Sequence, residues 1–184
     1  MSIVLKENAK FAKKTEAYEV KVHPQTDRLY HIQISKDVIT KFVAAVRDNN
    51  QSVQHLEYTP YERHIVASYL LEQVGDDFGK LLREIVYDRQ SGGFTLGLEG
   101  VTNDTDDFVM FATAISYLLG TPNHDSMSGK YYARFTVKDT DNSDSYLRQA
   151  YRLFTLHTDG TFVDEPTDWL LMMKMVEQLL QLEA

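Results

Sequence analysis

The feature that most constrains the fold of this chain is a change in hydrophobic periodicity about two thirds of the way along it. As far as Pro122 the apolar residues recur mainly with helical spacing, whereas from Tyr131 onward they alternate with a period of two. Helices and strands that segregate along a sequence are typical of α+β proteins. We therefore predict an α+β fold in which a helix-rich N-terminal part leads into a sheet.

The first part of the chain is predicted to contain three strands and several amphipathic helices. Residues 18–22 and 30–34 alternate on either side of a polar turn, which indicates a strand pair, and residues 94–98 alternate again. Ser35 is a typical N-cap residue, and Gly75 is a typical helix stop. The helical stripes are Val38, Ile39, Phe42, Val43 and Val46; Ile65, Val66, Tyr69, Leu70 and Val74; Phe78, Leu81, Leu82, Ile85 and Val86; and Phe108, Phe111, Ala112, Ile115, Leu118 and Leu119.

The last third of the chain is predicted to contain strands only. Residues 131–137 alternate, residues 151–158 follow after a polar loop, and residues 169–175 are nearly all apolar. A nearly continuous apolar run suits a strand that is buried on both faces. These strands look like the opening of a β-sandwich or jelly roll, which would be incomplete because it begins so late.

Charge and composition exclude several classes of function. The 184 residues carry 19 basic and 27 acidic side chains, a formal net charge of −8. Nucleic acids and anionic membrane surfaces are therefore not expected as partners, because both require clustered Lys and Arg. The chain has no cysteine, which excludes disulfides, thiolate metal sites and cysteine nucleophiles. It also lacks a phosphate-binding loop, a dinucleotide fingerprint and a nucleophile elbow.

Neither a secretory signal nor a membrane span is recognisable. The first twenty residues carry charges without a long apolar segment after them. No stretch approaches the roughly 18 apolar residues that a membrane-spanning helix needs. We therefore expect a cytoplasmic protein.

The pattern that carries chemistry is His157-Thr158-Asp159-Gly160. On a strand, residues i and i+2 point to the same face, so His157 and Asp159 would project together. One imidazole and one carboxylate are two of the three ligands in the facial triad of non-haem Fe(II) enzymes. A second histidine would have to come from elsewhere in the chain.

This spacing is weak evidence by itself. With 6 His and 27 acidic residues among 184, chance predicts about 0.9 pairs of the form His-x-acid. The sequence contains two such pairs, and the other is His55-Leu56-Glu57, predicted to lie in a connector between helices. A structural histidine beside a solvated carboxylate is the competing interpretation of either pair.

Three blocks of sequence resemble the carbon-starvation-induced family of glutarate 2-hydroxylases. They are residues 127–135 (MSGKYYARF), residues 141–149 (DNSDSYLRQ), and residues 156–162 (LHTDGTF) with the LMMK of residues 171–174. The third block also resembles the wider taurine-dioxygenase-like oxygenases, which share a double-stranded β-helix, or jelly roll. The resemblance therefore implies that the strands after residue 131 are the first strands of that jelly roll.

The resemblance implies an Fe(II)- and 2-oxoglutarate-dependent dioxygenase. In this reaction 2-oxoglutarate is decarboxylated to succinate and carbon dioxide, while oxygen hydroxylates glutarate to L-2-hydroxyglutarate. His157 and Asp159 match the family's first two iron ligands. The family also implies a homo-oligomer, typically a tetramer, and a small dicarboxylate substrate. Catalytic and 2-oxoglutarate-binding residues are not assigned, although nearby polar residues could meet a dicarboxylate: Tyr132, Arg134, Asn142, Ser143 and Arg148.

The sequence departs from the family after residue 175. There the family continues into a long remainder that supplies a distal His ligand and an Arg for 2-oxoglutarate, whereas here no histidine follows Asp159. His124 lies in a turn-like segment and is a poor substitute. We therefore expect residues 1–184 to form one domain, the N-terminal portion of an oxygenase without its jelly-roll remainder, with little or no activity alone.

Two alternatives to this interpretation stay open. The chain could belong to a 2-oxoglutarate oxygenase with another substrate, since nothing but the resemblance specifies glutarate. It could instead be a non-catalytic interaction module, or half of a split enzyme that pairs an open sheet with another chain.

Overall fold

A computed structural model describes residues 9–49, 51–98, 104–123, 131–132 and 168–174. The chain divides into two compact units, one of residues 1–122 with 173–184 and one of residues 123–172. All the helices and strands of the described residues belong to the first unit. They are β1 (Lys13–Lys14), β2 (Tyr18–Val22), β3 (Leu29–Ile34), α1 (Lys36–Asp48), α2 (Val53–Tyr58), α3 (Pro60–Val74), α4 (Asp77–Tyr87), β4 (Gly93–Leu98) and α5 (Thr105–Leu119).

The four strands form one mixed sheet in the order β1-β2-β3-β4. The pairs β1–β2 and β2–β3 are antiparallel, and the predicted polar turn joins β2 to β3. Strand β4 pairs with β3 in parallel, with Ile32 opposite Leu96. A parallel pair needs a long crossover connection, which here contains α1 to α4. The α+β prediction is therefore confirmed for the described residues.

One face of this sheet is apolar and forms part of the hydrophobic core. Along β2 and β3 every second residue is apolar, and all of these are buried except the half-buried Val22. Ile32 and Ile34 are completely inaccessible to solvent. Because successive strand residues point to opposite faces, this alternation directs the intervening polar residues away from the core. The predicted strand pair is confirmed in both extent and orientation.

Helix α1 begins directly after Ser35, and all five residues of its predicted stripe are buried. Ser35 occupies the N-cap position as predicted, but its hydroxyl does not cap the helix. Its Oγ is buried without a hydrogen-bond partner among the residues that the structure describes. The position of the helix therefore follows from the burial of its apolar stripe, and the N-cap serine does not stabilise it in the usual way.

Helices α3, α4 and α5 pack together beside the sheet. Gly75 ends α3 with a φ of 94°, in the region that favours glycine, so the predicted stop is confirmed. All five residues of the α4 stripe are buried, as predicted. Gly79 faces Leu118 of α5, and a Cβ at this position would make an ordinary van der Waals contact with the Leu118 Cβ at 3.6 Å.

Helix α5 is stabilised at its N-terminus by acidic residues. The side chain of Asp104 accepts a hydrogen bond from the backbone N–H of Asp106 at 2.9 Å. Asp106 and Asp107 lie in the first turn, where negative charge complements the helix dipole. The predicted stripe is confirmed in part: Phe111, Ile115 and Leu118 are buried, whereas its other three members are half-buried. The helix also buries apolar residues outside that stripe, namely Val109, Met110 and Ala114.

Two predictions about local structure are wrong. His55-Leu56-Glu57 does not lie in a connector but in helix α2, where the Ser52 side chain accepts a hydrogen bond from the His55 backbone N–H. The run 169–175 was predicted as a strand buried on both faces, yet residues 169–174 form no strand and residues 169–172 are exposed. An apolar sequence permits such a strand, but burial also requires neighbouring strands and packed layers.

The other predicted strands, residues 131–137 and 151–158, lie outside the described residues apart from Tyr131 and Tyr132. In the described part of the chain, no helix is long and apolar enough to cross a membrane.

Replacing Phe42 by Ala should destabilise the protein by about 3–5 kcal/mol, because the substitution leaves a cavity in the core. Phe42 is fully buried and meets the ring of Phe111 edge-on, with 5.8 Å between centroids. Tyr61→Ala is the matched control, since Tyr61 is 68% exposed on α3. Urea unfolding monitored by circular dichroism would measure the free energy of unfolding of both variants. An equal loss of stability in the two variants would contradict this account of the core.

A surface ion pair joins the segment before β1 to the end of α4. Lys10 Nζ lies 2.9 Å from Asp88 Oδ2. The hydrogen bond from Lys10, assisted by the backbone N–H of Gln90, lowers the pKa of Asp88. The hydrogen bond to Asp88 in turn raises the pKa of Lys10, although desolvation opposes this shift. The pair therefore stabilises the protein most between these two pKa values.

Removing the charge of Lys10 should raise the pKa of Asp88 toward the usual aspartate value. NMR titration of the Asp88 carboxyl in the Lys10→Gln variant would measure this. Because the folded-state pKa is lowered, the pair stabilises above the unfolded-state pKa, and this contribution disappears as the pH falls through the folded-state pKa. Lys41→Gln removes a different pair, with Asp37, and should leave the titration of Asp88 unchanged.

Candidate functional site

The predicted iron ligands, His157 and Asp159, lie outside the described residues, and their placement stays a prediction. The same holds for four of the five polar candidates, Arg134, Asn142, Ser143 and Arg148. Tyr132 is described and is half-buried. The described geometry therefore neither brings these residues together nor separates them.

The donor set of His157 and Asp159 suits Fe(II) on chemical grounds. An imidazole nitrogen and a carboxylate oxygen are both ligands of the facial triad. Within the described ranges, no group of three or more His, Asp or Glu side chains could hold a metal ion. The part of the chain that the structure describes thus offers no competing metal centre.

The most organised polar surface among the described residues is the sheet face opposite the core, which we call the polar sheet face. It consists of Glu19, Lys21, His31, Gln33, Thr95 and Gly97. Strand register places Glu19 opposite Gln33 and Gln33 opposite Gly97. The polar residues of three strands therefore lie side by side.

Hydrogen bonds and close packing order the centre of the polar sheet face. His31 Nδ1 lies 2.9 Å from Thr95 Oγ1, a hydrogen bond whose direction depends on the imidazole tautomer. The Gln33 side chain lies over Gly97, where a Cβ would collide with its Oε1 and would lie 3.3 Å from His31 Cε1. Gly97 therefore provides the space that the Gln33 amide occupies.

Charged residues border this centre on β2. Glu19 accepts from Lys21 Nζ at 2.7 Å and lies 3.8 Å from Lys14 Nζ. The hydrogen bond from Lys21 lowers the pKa of Glu19, although desolvation opposes this shift. The polar sheet face can donate and accept hydrogen bonds, and its Thr95 hydroxyl lies within hydrogen-bonding distance of an imidazole, that of His31.

A half-buried ion pair links α1 to α5. Arg47 Nη2 lies 2.8 Å from Asp107 Oδ2 and 3.5 Å from Asp104 Oδ2. Asp107 also contributes the only charged side chain to a small cavity, whose other lining residues are Ile39, Phe42, Val43, Leu98, Phe108 and Phe111. Because the carboxylate is occupied by Arg47, this contact connects two helices and does not present a reactive group.

The polar sheet face is not predicted from the sequence, although the alternation along β3 indicates part of it. The alternation that places Ile32 and Ile34 in the core also places His31 and Gln33 together on the other face. The missing information was the parallel pairing of β3 with β4, which brings Thr95 and Gly97 beside them. No local pattern specifies a partner more than 60 residues away.

Comparison with known proteins confirms the family resemblance. The model of the CsiD family matches residues 18–183, a range that includes His157 and Asp159. The chain is 40% identical to the glutarate 2-hydroxylase of Klebsiella pneumoniae (strain 342) over 175 residues, which cover 94% of this chain and 53% of that protein.

Two further relatives give the same result. The glutarate 2-hydroxylase of Citrobacter koseri is 43% identical over 156 residues, 84% of this chain and 47% of that protein. The Salmonella typhimurium (strain SL1344) protein of that name is 40% identical over 156 residues, with the same shares. The chain thus spans about half the length of the curated relatives it matches.

Substituting Gly97 by Ala should destabilise the sheet by up to about 1 kcal/mol, because the Gln33 amide must move away. In a Gln33→Ala background the same substitution should be neutral or stabilising, since Ala costs less backbone entropy than Gly in a strand. A double-mutant cycle in urea should give a coupling of about 0.5–1 kcal/mol. Equal effects of Gly97→Ala in both backgrounds would show that Gln33 does not occupy this space.

Proposed function

Because the chain belongs to the CsiD family, we propose that this protein takes part in Fe(II)- and 2-oxoglutarate-dependent hydroxylation of glutarate. The observation that carries the proposal is 40% identity to a glutarate 2-hydroxylase across 94% of the chain. The proposed reaction converts glutarate, 2-oxoglutarate and oxygen into L-2-hydroxyglutarate, succinate and carbon dioxide. One oxygen atom enters each organic product.

We assign two metal ligands of this chain to the reaction. His157 would bind Fe(II) through an imidazole nitrogen, and Asp159 through a carboxylate oxygen. The bound metal would supply the redox chemistry of oxygen activation. Both residues would also orient the open coordination positions toward one side, because an i, i+2 pair on a strand projects from the same face.

A complete facial triad needs a second histidine. His157 is the last of the six histidines in the 184 residues, and the curated relatives are about twice as long as the matched segment. We therefore propose that the second histidine, and a basic group for 2-oxoglutarate, belong to the part of the relatives that this chain does not match. Arg is the natural partner of a carboxylate because it can donate two parallel hydrogen bonds.

The proposed function also specifies the architecture around the metal. Residues 131–137 and 151–158 would form the first strands of a double-stranded β-helix, with His157 and Asp159 at the end of one strand. The alternation of apolar residues supports this arrangement. We further propose that the protein is a cytoplasmic homo-oligomer and that its substrate is a small dicarboxylate.

Anaerobic titration with Mn(II), a redox-stable substitute for Fe(II), would test the assigned ligands. His157→Ala should weaken metal binding at least about tenfold, since even the loss of an outer-shell partner costs 10–100-fold. 2-Oxoglutarate should strengthen binding to the wild type more than to the variant. His55→Ala is the matched control, because His55 belongs to the other His-x-acid pair but is exposed on α2.

The control works because His55 lies in a helix, where residues i and i+2 lack the shared direction that a strand gives them. Equal effects of His55→Ala and His157→Ala on Mn(II) affinity would refute the ligand assignment. Succinate release measured on the 184 residues alone should be low. Robust succinate production by these 184 residues would refute the proposal that the second histidine of the triad lies outside them.

A further inference from the structure

A row of three hydrogen-bonding side chains, one from each of three strands, crosses the polar sheet face. Strand register places Lys21 of β2 opposite His31 of β3, and His31 opposite Thr95 of β4. Because neighbouring strands lie about 4.8 Å apart, groups in one row are close enough to contact the same small molecule. The row presents an ammonium, an imidazole and a hydroxyl to one ligand.

The side chains of this row keep hydrogen-bonding capacity that the protein does not use. His31 contacts Thr95 through Nδ1, and its Nε2 forms no hydrogen bond to the residues that the structure describes. A Thr95 hydroxyl that donates to Nδ1 leaves the imidazole proton on Nε2, which then donates outward. Lys21 Nζ lies 2.7 Å from Glu19 Oε2, and an ammonium has three N–H donors, so two remain for a ligand.

The Gln33 amide lies beside the imidazole of this row. Gln33 Oε1 and His31 Cε1 both lie against the position that a Cβ on Gly97 would take, so Gly97 lets the two groups converge. Both side chains are half-buried, and the Gln33 amide forms no hydrogen bond to another described residue. Its NH2 group therefore adds two free donors next to His31.

We propose that the polar sheet face binds a carboxylate group of a small dicarboxylate, with Lys21, His31 and Gln33 as the hydrogen-bond donors. This inference rests on the proposed function and deepens it, because it names residues of this chain that would hold the substrate. The metal ligands assigned above take no part in this contact, so the two assignments can be tested separately.

Local charge and the chemistry of the donors favour this ligand. Lys14 and Lys21 bring two positive charges to the polar sheet face against the single negative charge of Glu19, although the whole chain carries a net charge of −8. Hydrogen bonds to a carboxylate are roughly twice as strong as those between neutral groups. The curated relatives are named glutarate 2-hydroxylases, and glutarate carries two carboxylates.

NMR of the histidine rings would test this binding directly. Glutarate is titrated into the 184-residue protein at constant ionic strength, without metal or 2-oxoglutarate. The Cε1–H signal of His31 should shift and saturate with a Kd on the order of 1–10 mM, because the donors are partly exposed and salt screens them. The signal of His64, which is exposed on α3, should not shift. Glutaramide, the neutral diamide of the same length, and sulfate should both bind more weakly than glutarate.

Two substitutions would identify the donors. Lys21→Gln should weaken glutarate binding about two- to fivefold, since it removes one exposed charge-assisted hydrogen bond. Gln33→Leu should weaken it by a similar factor, because leucine has about the same length but no amide. Lys80→Gln is the matched control for Lys21→Gln, since Lys80 is as exposed as Lys21 and lies 3.9 Å from its own partner, Glu84. The control should leave glutarate affinity unchanged.

Three results would overturn the proposal. Equal shifts of the His31 and His64 signals would show that glutarate does not select the polar sheet face. Binding of glutaramide or sulfate as tight as that of glutarate would show that the face does not recognise a dicarboxylate. Equal effects of Lys21→Gln and Lys80→Gln would exclude Lys21 as a donor. Because the titration contains no metal, a failed Mn(II) experiment with His157→Ala would leave this result standing, and the reverse also holds.

Discussion

The burial of β3 is the constraint on which the rest of the described structure depends. Its apolar residues Ile32 and Ile34 are fully inaccessible, and the strand is hydrogen-bonded on both sides, to β2 and to β4. Burial of this kind requires a layer over the apolar face, because a sheet with one exposed apolar side loses most of its hydrophobic stabilisation. The helices that connect β3 to β4 supply part of that layer. The apolar stripes of these helices cover β3.

The same constraint explains what could be predicted from sequence. The stripes of α1 and α4 were identified residue by residue, because each buries one face and leaves the other in water. Helix α2 was missed because six residues are too few to show a periodicity. The two-residue β1 was missed for the same reason. The prediction of a buried strand over residues 169–175 is wrong because an apolar composition only permits burial, whereas actual burial depends on the neighbouring residues.

Prediction of the candidate site was limited in a different way. His157 and Asp159 are predicted from a two-residue spacing and a resemblance, neither of which depends on tertiary contacts, and their role stays a prediction. The polar sheet face was not recognised, since His31 and Thr95 meet only through the pairing of two distant strands. Local chemistry can therefore be inferred from local sequence. A surface assembled from separate strands needs the topology first.

The parallel register of β3 and β4 has a consequence for the order of folding. Residues 29–34 must find residues 93–98, so a loop of about sixty residues has to close before this pairing contributes any stability. The antiparallel hairpin of β2 and β3 spans far less chain and can form early. Helices α1 to α4 shorten the intervening loop when they condense, and thereby reduce the entropy lost on closure. We therefore expect β4 to join the sheet late, after the helical layer has collapsed onto the hairpin.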